Sequence, residues 1–411
     1  MRKICTKSFA KYSAEESRYA GKHLVIISGN DSSLPKVSPP NTKITLIQTA
    51  DRATDWQKKY VDSYIEVEEI NEDTLLEVLR SIHLMHPVTG LVCFLEPVIL
   101  VAARVANMLG IRSNPLCAVS TARDKTLTRQ ALDNANIPQR PWRMCGTPEE
   151  VLAFWKELGE ESVVIKPITG AGSAGVRRVK NEDEVRAHLA EISSLHSWAL
   201  LDNPDLLVLV EAVLPGREFS VEAMTVDGSH EVVQITEKIT SGPPRYVEMG
   251  HWQPAELNEQ QKDQISRRVP SILDAIGHRI GPSHTEIMVD GEDVWLVETH
   301  TRFGGDQIWE LTELTTGRHM ATETIFAILD LPLPAPGPRY SESAIFFMSW
   351  ASHSEVPVIP GLIRVKHPSR RELIRRDQII DSSTRTGYAL AAGPNAASNA
   401  LSAVKALQKE N

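Results

Sequence analysis

Short apolar runs alternate with helical patterns along the N-terminal part of the chain. Runs at His23–Ser28, Ile44–Thr49 and Gly90–Leu95 predict buried strands, and the spacing of apolar positions predicts helices at Asn71–His83 and Val98–Leu109. Strands that alternate with helices are typical of a parallel sheet, so we expect a Rossmann-like α/β domain in residues 1–120. The loop after its first strand has no G-x-G-x-x-G motif. This domain therefore lacks a dinucleotide fingerprint, and we expect it to supply a wall and substrate contacts.

A longer series of helices and strands begins at Thr121 and extends to about residue 330. The stretch Thr240–Pro254 is polar and carries Pro and Gly, which predicts a loop that would contain His251. The other elements predicted by apolar spacing are helices at 123–136, Pro148–Leu158, Asn181–Leu195 and Asn258–Ile276, and strands at Ser162–Pro167, Leu206–Leu214, Glu218–Val226, Glu231–Ile239, His284–Val289 and Val294–Thr299.

A Pro-rich segment, Leu331–Pro338, predicts a boundary between this middle part and the C-terminal part of the chain. The residues beyond it contain short apolar runs and a helical pattern at Ala396–Gln408. We therefore expect a small α+β domain over residues 339–411.

Composition excludes some classes of protein. The 411 residues include 44 Lys and Arg against 53 Asp and Glu, a net charge of -9, which argues against a surface that follows nucleic-acid phosphates. No run approaches the roughly 18 apolar residues of a membrane span, and the first 21 residues have no apolar signal core. The four cysteines are scattered without a C-x-x-C pair. We expect a reduced cytoplasmic protein that binds neither nucleic acid nor membrane.

A glycine-rich segment, Gly170–Gly175, follows a predicted strand and fits the pattern G-x-G-x-x-G. The next residues, Val176–Val179, alternate as a strand rather than opening a helix, which excludes a dinucleotide motif. Val176 also occupies the position where a P-loop requires lysine. The segment therefore predicts a hairpin whose backbone amides, with Lys166, bind phosphate, and a surface hairpin without a ligand is an equally weighted alternative.

Two glutamates in the last predicted hairpin of the middle part carry the chemistry of a metal site. One register places Glu286 directly opposite Glu298, and two like charges in a largely apolar hairpin require a cation between them. Carboxylate oxygens without nearby cysteine suit Mg²⁺ or Mn²⁺. Alternation places His300 and Arg302 on the same face as Glu298, where Arg302 could stabilise developing negative charge. A shift of one residue would separate the glutamates and leave Arg302 as their surface partner.

Five elements in this order resemble the ATP-grasp superfamily over about residues 120–330. They are Asp124-Lys125, the strand at Val163–Lys166 with its glycine loop, Leu209–Glu211, Gly216–Glu222 and the two-glutamate hairpin. Three further segments resemble the L-amino acid ligase branch, and the tail at Gly387–Gly393 is similar to the C-terminal domain of that branch. The three segments are Thr236–Lys238, Arg245–His251 and Glu298–Asp306.

The resemblance implies a fold and a set of site residues. It implies an ATP-grasp fold of the mixed α/β class, with central and lid subdomains, the lid covering about residues 140–210. The ATP-binding residues it implies are Lys125 and Lys166 at the phosphates, Gly172 and Ser173 in the covering loop, the backbone of Glu211, Ala212 and Val213 at adenine, and Glu218 at the ribose. The metal ligands it implies are Glu286 and Glu298, with His300 where many members have asparagine. The remaining implied residues are Arg302, Lys238 and His251 in catalysis and Glu248, His251, Arg302, Gly304 and Gly305 at the substrate.

Less specific interpretations exist for several of these residues. Glu218 could be an ordinary solvent-facing position, Lys238 an edge lysine and His251 a packed loop histidine. Lys125 could be the solvated start of a helix, although a cation there is electrostatically unfavourable. His284 is expected to be structural.

We expect an ATP-dependent carboxylate–amine ligase that forms an amide through an acyl phosphate and releases ADP and phosphate. The absence of G-x-S-x-G and H-E-x-x-H motifs agrees with activation by ATP rather than by a protein nucleophile. The resemblance implies ATP, Mg²⁺ or Mn²⁺, and small carboxylate and amine substrates, with amino acids as the expected pair, a role in peptide antibiotic synthesis and a homodimer as an expected assembly. The alternatives are a ligase or carboxylase with a different acceptor and a non-catalytic nucleotide-binding subunit.

Overall fold

The computed structural model describes residues 21–170, 172–194, 207–351, 355–356, 358–368 and 385–408. Among these residues the strands form three sheets, one parallel and two antiparallel. The strands are β1 (Lys22–Ile27), β2 (Thr42–Thr49), β3 (Ser63–Val67), β4 (Gly90–Val92), β5 (Trp142–Cys145), β6 (Val163–Pro167), β7 (Arg177–Val179), β8 (Val208–Ala212), β9 (Arg217–Val226), β10 (Ser229–Thr240), β11 (Glu248–Gln253), β12 (Gly281–Asp290), β13 (Asp293–His300), β14 (Ser343–Met348), β15 (Leu362–Lys366) and β16 (Gly387–Ala392).

The helices lie between these strands and cover the faces of the sheets. They are α1 (Asp55–Tyr60), α2 (Glu72–Met85), α3 (Ile99–Leu109), α4 (Leu116–Arg123), α5 (Lys125–Asn134), α6 (Pro148–Leu158), α7 (Glu182–Ser194), α8 (Glu259–Ala275), α9 (Ile308–Thr316), α10 (Met320–Ile328) and α11 (Ala396–Leu407). No helix in the described part of the chain is both long and apolar enough to cross a bilayer.

The N-terminal sheet is parallel, in the order β3-β2-β1-β4, as the alternating pattern predicts. Its apolar strands are buried on both faces, by α2 and α3 on one side and by α10 on the other. The strand β3 is absent from the sequence prediction, because its alternating, half-buried residues are less apolar than those of its neighbours. Helix α4 runs across residue 120, so the chain enters its middle part within a helix.

The second sheet is antiparallel and has the order β5-β8-β6-β7. Strands β6 and β7 pair as a hairpin around the glycine loop, with Ile165 opposite Arg177, which confirms the predicted strand–loop–strand arrangement. Helices α6 and α7 cover one face of this sheet through an apolar cluster that includes Val151, Phe154 and Ile192. The other face is left for a cleft.

The third sheet has eight strands in the order β13-β12-β9-β10-β11-β14-β16-β15. The prediction of a loop at Thr240–Pro254 is wrong for its second half, which forms β11. The buried residues of β11 include Glu248, His251 and Gln253. Because these buried side chains are polar, the strand does not show the alternation of apolar and polar residues by which strands are predicted. The hairpin β12–β13 forms the edge of this sheet.

The C-terminal strands continue this same sheet. Ser343 at the start of β14 pairs with Gln253 at the end of β11, and β16 and β15 extend the sheet outward. Helix α11 covers these strands with alanine and leucine side chains. The Pro-rich segment 331–338 thus separates two stretches of chain but not two sheets, and the boundary at residue 339 stays a prediction about folding units.

Candidate functional site

A cleft of about 430 Å³ lies between the second and third sheets. It collects residues from the start of α5, the β6–β7 hairpin, the end of β8 and the strands β9, β10, β12 and β13. The predicted site residues that line it are Lys125, Lys166, Ser173, Glu211, Ala212, Val213, Glu218, Lys238, Glu286 and Glu298. The predicted residues that lie outside this lining are Gly172, Glu248, His251, His300, Arg302, Gly304 and Gly305.

The two glutamates of the β12–β13 hairpin face each other as predicted. Glu286 pairs directly with Glu298, and a β-bulge follows, so that Ile287 pairs with Leu296. The bulge changes the register after the glutamates, and both carboxylates reach the cleft. The alternative register, in which the glutamates separate, is excluded.

Lysines lie against both of these carboxylates. Lys238 Nζ is 2.6 Å from Glu286 Oε1, 2.7 Å from Glu218 Oε1 and 3.6 Å from Glu248 Oε1. Burial would lower the pKa of Lys238, but the three carboxylates raise it well above its ordinary value. Lys125 Nζ lies 2.9 Å from Glu298 Oε2. Lys238 is therefore a buried cation in an acidic cluster rather than an edge lysine.

The local fold explains how Lys125 reaches the cleft. Asp124 caps α5 by accepting hydrogen bonds from the backbone amides of Thr126 and Leu127. The backbone amide of Lys125 donates to the carbonyl of Ile168 at 2.8 Å, which ties the helix start to the end of β6. Lys125 is buried, so it is not a solvated helix start.

The charge balance around Lys238 suits a divalent cation. One lysine faces three carboxylates, of Glu218, Glu248 and Glu286, and burial raises the pKa of Glu218. No group of three or more His, Cys, Asp or Glu side chains arranged to hold a metal alone occurs in the described ranges. Glu286 and Glu298 thus fit an ion such as Mg²⁺, whose other ligands come from phosphate or water.

His300 lies between two carboxylates. Its Nε2 is 3.2 Å from Glu298 Oε1 and its Nδ1 is 3.2 Å from Glu96 Oε2. Burial would lower the pKa of His300, but Glu96 and Glu298 raise it. Its ring stacks on His284, which in turn contacts Glu222 at 2.6 Å. A role for His300 as a metal ligand stays a prediction.

A second charged cluster in the cleft, around Glu211, is basic. Lys166 Nζ is 2.7 Å from Glu211 Oε2, and Arg129 Nε donates to Glu211 Oε1 at 2.6 Å. Burial would raise the pKa of Glu211, but the two cations lower it to about 2. Beyond this cluster β8 ends at Ala212, and Val213 lines the cleft. Sequence analysis did not find Arg129, whose helical position is typical of a surface residue.

The glycine loop covers the cleft and contacts the loop before β11. Ser173 adopts a left-handed backbone conformation, with φ of 60°, and its Oγ lies 3.4 Å from the carbonyl of Tyr246. The backbone amide of Arg178 donates to the carbonyl of Pro244 at 3.0 Å. His188 contacts the carbonyl of Gly175 at 2.9 Å. These contacts hold the hairpin over the cleft.

Two of the predicted substrate residues, Glu248 and His251, lie in a neighbouring buried cluster on β11. His251 lies opposite Lys238 in the sheet, and its Nε2 is 4.0 Å from Asp306 Oδ2, so neither ring nitrogen has a hydrogen-bond partner among the described residues. Burial lowers the pKa of His251. Arg385 pairs with Asp306 and lies 3.3 Å from Glu248 Oε2. The expectation that His251 lies in a loop is wrong, and sequence analysis gave no role to Asp306 or Arg385.

The turn after β13 packs tightly against the site. The backbone amide of Gly304 donates to Glu222 Oε2 at 3.1 Å, and a Cβ on Gly304 would lie 2.9 Å from His284 Nδ1. Glu222 is fully buried. Gly305 has open space around it. Glycine is therefore required at position 304, because the side chain of His284 lies close to its backbone. Sequence analysis could not show this contact.

Arg302 follows β13 and points toward the N-terminal sheet. Its Nε donates to Glu96 Oε2 at 2.6 Å, and its Nη1 donates to the carbonyl of Phe303 at 3.0 Å. Glu96 lies beyond the end of β4 and was not found by sequence analysis. Its position after β4 could have indicated a site residue, because ligand sites in parallel sheets lie outside the carboxyl ends of the strands.

Parts of this chain are similar in sequence to a known domain family and to curated proteins. The family model described as ATP-grasp domain matches residues 160–310. Alanine–anticapsin ligase of Bacillus subtilis is 24% identical over 253 residues, which cover 57% of this chain and 52% of that protein. Matches to the curated relatives span between 38% and 52% of the length of those proteins.

Solved structures share the fold over nearly the whole chain. The L-amino acid ligase from Bacillus licheniformis superposes with a TM-score of 0.70 at 19% identity, covering 91% of this chain and 93% of that one. Biotin carboxylase from Campylobacter jejuni superposes with a TM-score of 0.68 at 16% identity, covering 93% and 91%. The mixed α/β fold expected from the sequence is thus confirmed. The cleft lies largely within residues 160–310, the segment that matches the ATP-grasp domain model.

Proposed function

We propose that this protein is an ATP-dependent carboxylate–amine ligase that forms an amide bond between amino-acid-like substrates. The observation that carries the proposal is the pair Glu286 and Glu298, which face each other across two strands in a cleft that also contains Lys125 and Lys166. Carboxylates at one end and lysines along the wall are what a metal–triphosphate needs. The names of the L-amino acid ligase and alanine–anticapsin ligase support a carbon–nitrogen ligase.

The cleft offers a place for each part of ATP. The adenine would lie against the backbone at Ala212 and Val213, with Glu218 at the ribose and Lys125 and Lys166 at the phosphates. Mg²⁺ or Mn²⁺ held by Glu286 and Glu298 would neutralise charge on the phosphates. The glycine loop, with Gly172 and Ser173, would exclude water from the reacting groups.

The reaction follows in two steps. A substrate carboxylate oxygen attacks the γ-phosphorus of ATP, the bond to the β–γ bridging oxygen breaks, and ADP leaves. An amine nitrogen then attacks the acyl carbon, the bond to the phosphate oxygen breaks, and phosphate leaves. Arg302 and Lys238 would stabilise the negative charge that develops. His251, whose pKa is lowered by burial, would accept the proton that the amine loses.

The acceptor separates this proposal from its alternatives. Glu248 and Asp306 beside His251 share one guanidinium, that of Arg385, so the negative charge that remains suits a substrate that carries an ammonium group, as an amino acid does. The likeness to biotin carboxylase favours, as a second candidate, a carboxylase or a ligase with a different acceptor. A dipeptide product, and a role in peptide antibiotic synthesis, belong to the first proposal.

The test is phosphate release from MgATP with amino acids added singly and in pairs, with bicarbonate as a separate arm. We expect release only with particular pairs, and mass spectrometry should detect a product whose mass equals the sum of the two substrates minus water. Release with bicarbonate alone would replace the ligase with the carboxylase alternative. Binding of ATP without turnover in every arm would favour a non-catalytic nucleotide-binding subunit.

A further inference from the structure

A carboxylate from the N-terminal sheet reaches the residues of the β12–β13 hairpin. Glu96 follows β4 and is 9% exposed, and 206 positions along the chain separate it from Arg302. Its place beyond the carboxyl end of a parallel strand is where such sheets contact ligands and neighbouring domains. The N-terminal layer therefore contributes a charged side chain to the site as well as a wall.

Glu96 binds three cationic groups at once. Its Oε2 accepts a hydrogen bond from Arg302 Nε at 2.6 Å and lies 3.2 Å from His300 Nδ1, and its Oε1 accepts from Arg123 Nη1 at 3.0 Å. Arg123 also donates to the backbone carbonyl of Glu96 at 2.6 Å. Burial would raise the pKa of Glu96, but these cations hold it well below its ordinary value. The carboxylate is thus ionised and fixed from several sides.

These contacts restrict how Arg302 can be oriented. A long arginine side chain has many rotamers, and holding it in one costs conformational entropy unless contacts compensate. Glu96 fixes Nε, and the carbonyl of Phe303 fixes Nη1. The donors of Nη2 make no hydrogen bond to another described residue.

We propose that Glu96 is a positioning residue, which holds Arg302 and His300 in the orientation needed for carboxylate activation. The catalytic consequence of this proposal rests on the ligase function proposed above. It also predicts a property of the resting protein that needs no substrate: the Arg302 guanidinium is held by a carboxylate from another layer of the fold.

The first experiment measures this property without turnover. In the ¹⁵N-labelled protein, the Nε–H resonance of Arg302 is assigned by its absence in Arg302→Lys, and its exchange with solvent is measured in the wild type, Glu96→Gln and Glu72→Gln. Glu72 lies 3.5 Å from Arg104 on the outer surface of the same layer, so its variant is a matched control. We expect exchange at least about tenfold faster in Glu96→Gln only. Unchanged exchange would overturn the proposal.

The second experiment separates positioning from ligand binding. We expect Glu96→Gln to lower kcat about 100-fold while the Kd for MgADP changes less than about threefold, because Glu96 does not line the ATP cleft. Glu96→Asp keeps the charge and should recover part of kcat, and it replaces Glu96→Gln in both experiments if that variant does not fold. An increase confined to the KM of one substrate, with kcat retained, would overturn positioning in favour of direct contact. If the wild type has no ligase activity, the exchange experiment still decides whether Glu96 holds Arg302.

Discussion

Two charged clusters in the cleft, which we call its basic and acidic ends, make nearly the same contact in opposite surroundings. At the basic end Lys166 Nζ lies 2.7 Å from Glu211, and at the acidic end Lys238 Nζ lies 2.6 Å from Glu286. At the basic end Arg129 is a second cation on the same carboxylate. At the acidic end the lysine faces two further carboxylates, those of Glu218 and Glu248.

The difference shows that the functional role of an ion pair depends on the other charges around it. Two cations on one buried carboxylate leave positive charge, which an anionic phosphate can neutralise. Three carboxylates around one lysine leave negative charge, which a divalent cation can neutralise. The excess charge at each end therefore indicates which ligand it can accept, whereas the distance of either pair does not.

The largest effect is expected from Glu298→Gln at the acidic end. The substitution removes one proposed metal ligand but keeps the size of the side chain, so kcat should fall at least about 1000-fold while the circular dichroism spectrum stays native. Glu292→Gln, in the exposed turn of the same hairpin, is the control and should keep wild-type kcat. Near-normal MgATP turnover in Glu298→Gln would remove the proposed metal role.

A second substitution breaks the balance at the basic end. Glu211→Gln leaves Lys166 and Arg129 buried without a carboxylate, and removal of one partner of a buried pair costs about 3–5 kcal/mol of unfolding free energy. Urea titration measures this loss. Glu157→Gln, which breaks an exposed pair with Arg143, should leave the urea midpoint nearly unchanged. Equal midpoints for the two variants would show that burial does not set the strength of these pairs.

The pH dependence of stability sharpens the same contrast. The folded-state pKa of Glu211 is about 2, below its ordinary value of 4.5, so its contribution is present above about pH 4.5 and is lost as the pH falls toward 2. The difference in unfolding free energy between the wild type and Glu211→Gln should therefore shrink by about 3 kcal/mol over this range. Urea titrations between pH 5 and the lowest pH at which the wild type folds would measure it. A constant difference would contradict the cause assigned to this pKa.

The smallest effect is expected for the same substitution at the acidic end. Glu286→Gln leaves Lys238 with the carboxylates of Glu218 and Glu248, so no buried cation loses its only partner. Against the effect of burial, Lys238 and His284 hold the pKa of Glu286 at about 2, so the substitution should destabilise the metal-free protein. The urea midpoint should nevertheless fall less than in Glu211→Gln, because Lys238 keeps two carboxylate partners and repulsion between carboxylates decreases. A loss as large as that of Glu211→Gln would show that the acidic end has no excess of negative charge.

Local sequence patterns predicted much of the fold but missed specific elements. The hairpin register that brings Glu286 opposite Glu298 could be predicted, because neighbouring strands and the turn between them constrain each other. Strand β11 could not be predicted, because its buried face carries Glu248 and His251. A pattern of alternating apolar residues does not identify a strand whose buried positions are polar.

Site residues show the same division. Lys125, Lys166 and the two hairpin glutamates could be predicted from motif order, and they line one cleft. Glu96, Arg129 and Arg385 could not, since their partners lie far away in sequence and no local motif marks them.

The sequence by itself determined many of the strands and helices, the glycine hairpin and the types of residue available for phosphate and metal binding. These are local properties, which depend on side-chain periodicity and on backbone freedom at a few glycines. The tertiary structure alone decided which charges meet, that the C-terminal strands extend the central sheet, and that Glu96 reaches Arg302. Electrostatic balance in a buried site is a sum over residues from several sheets, and only their packing brings those residues within a few ångströms.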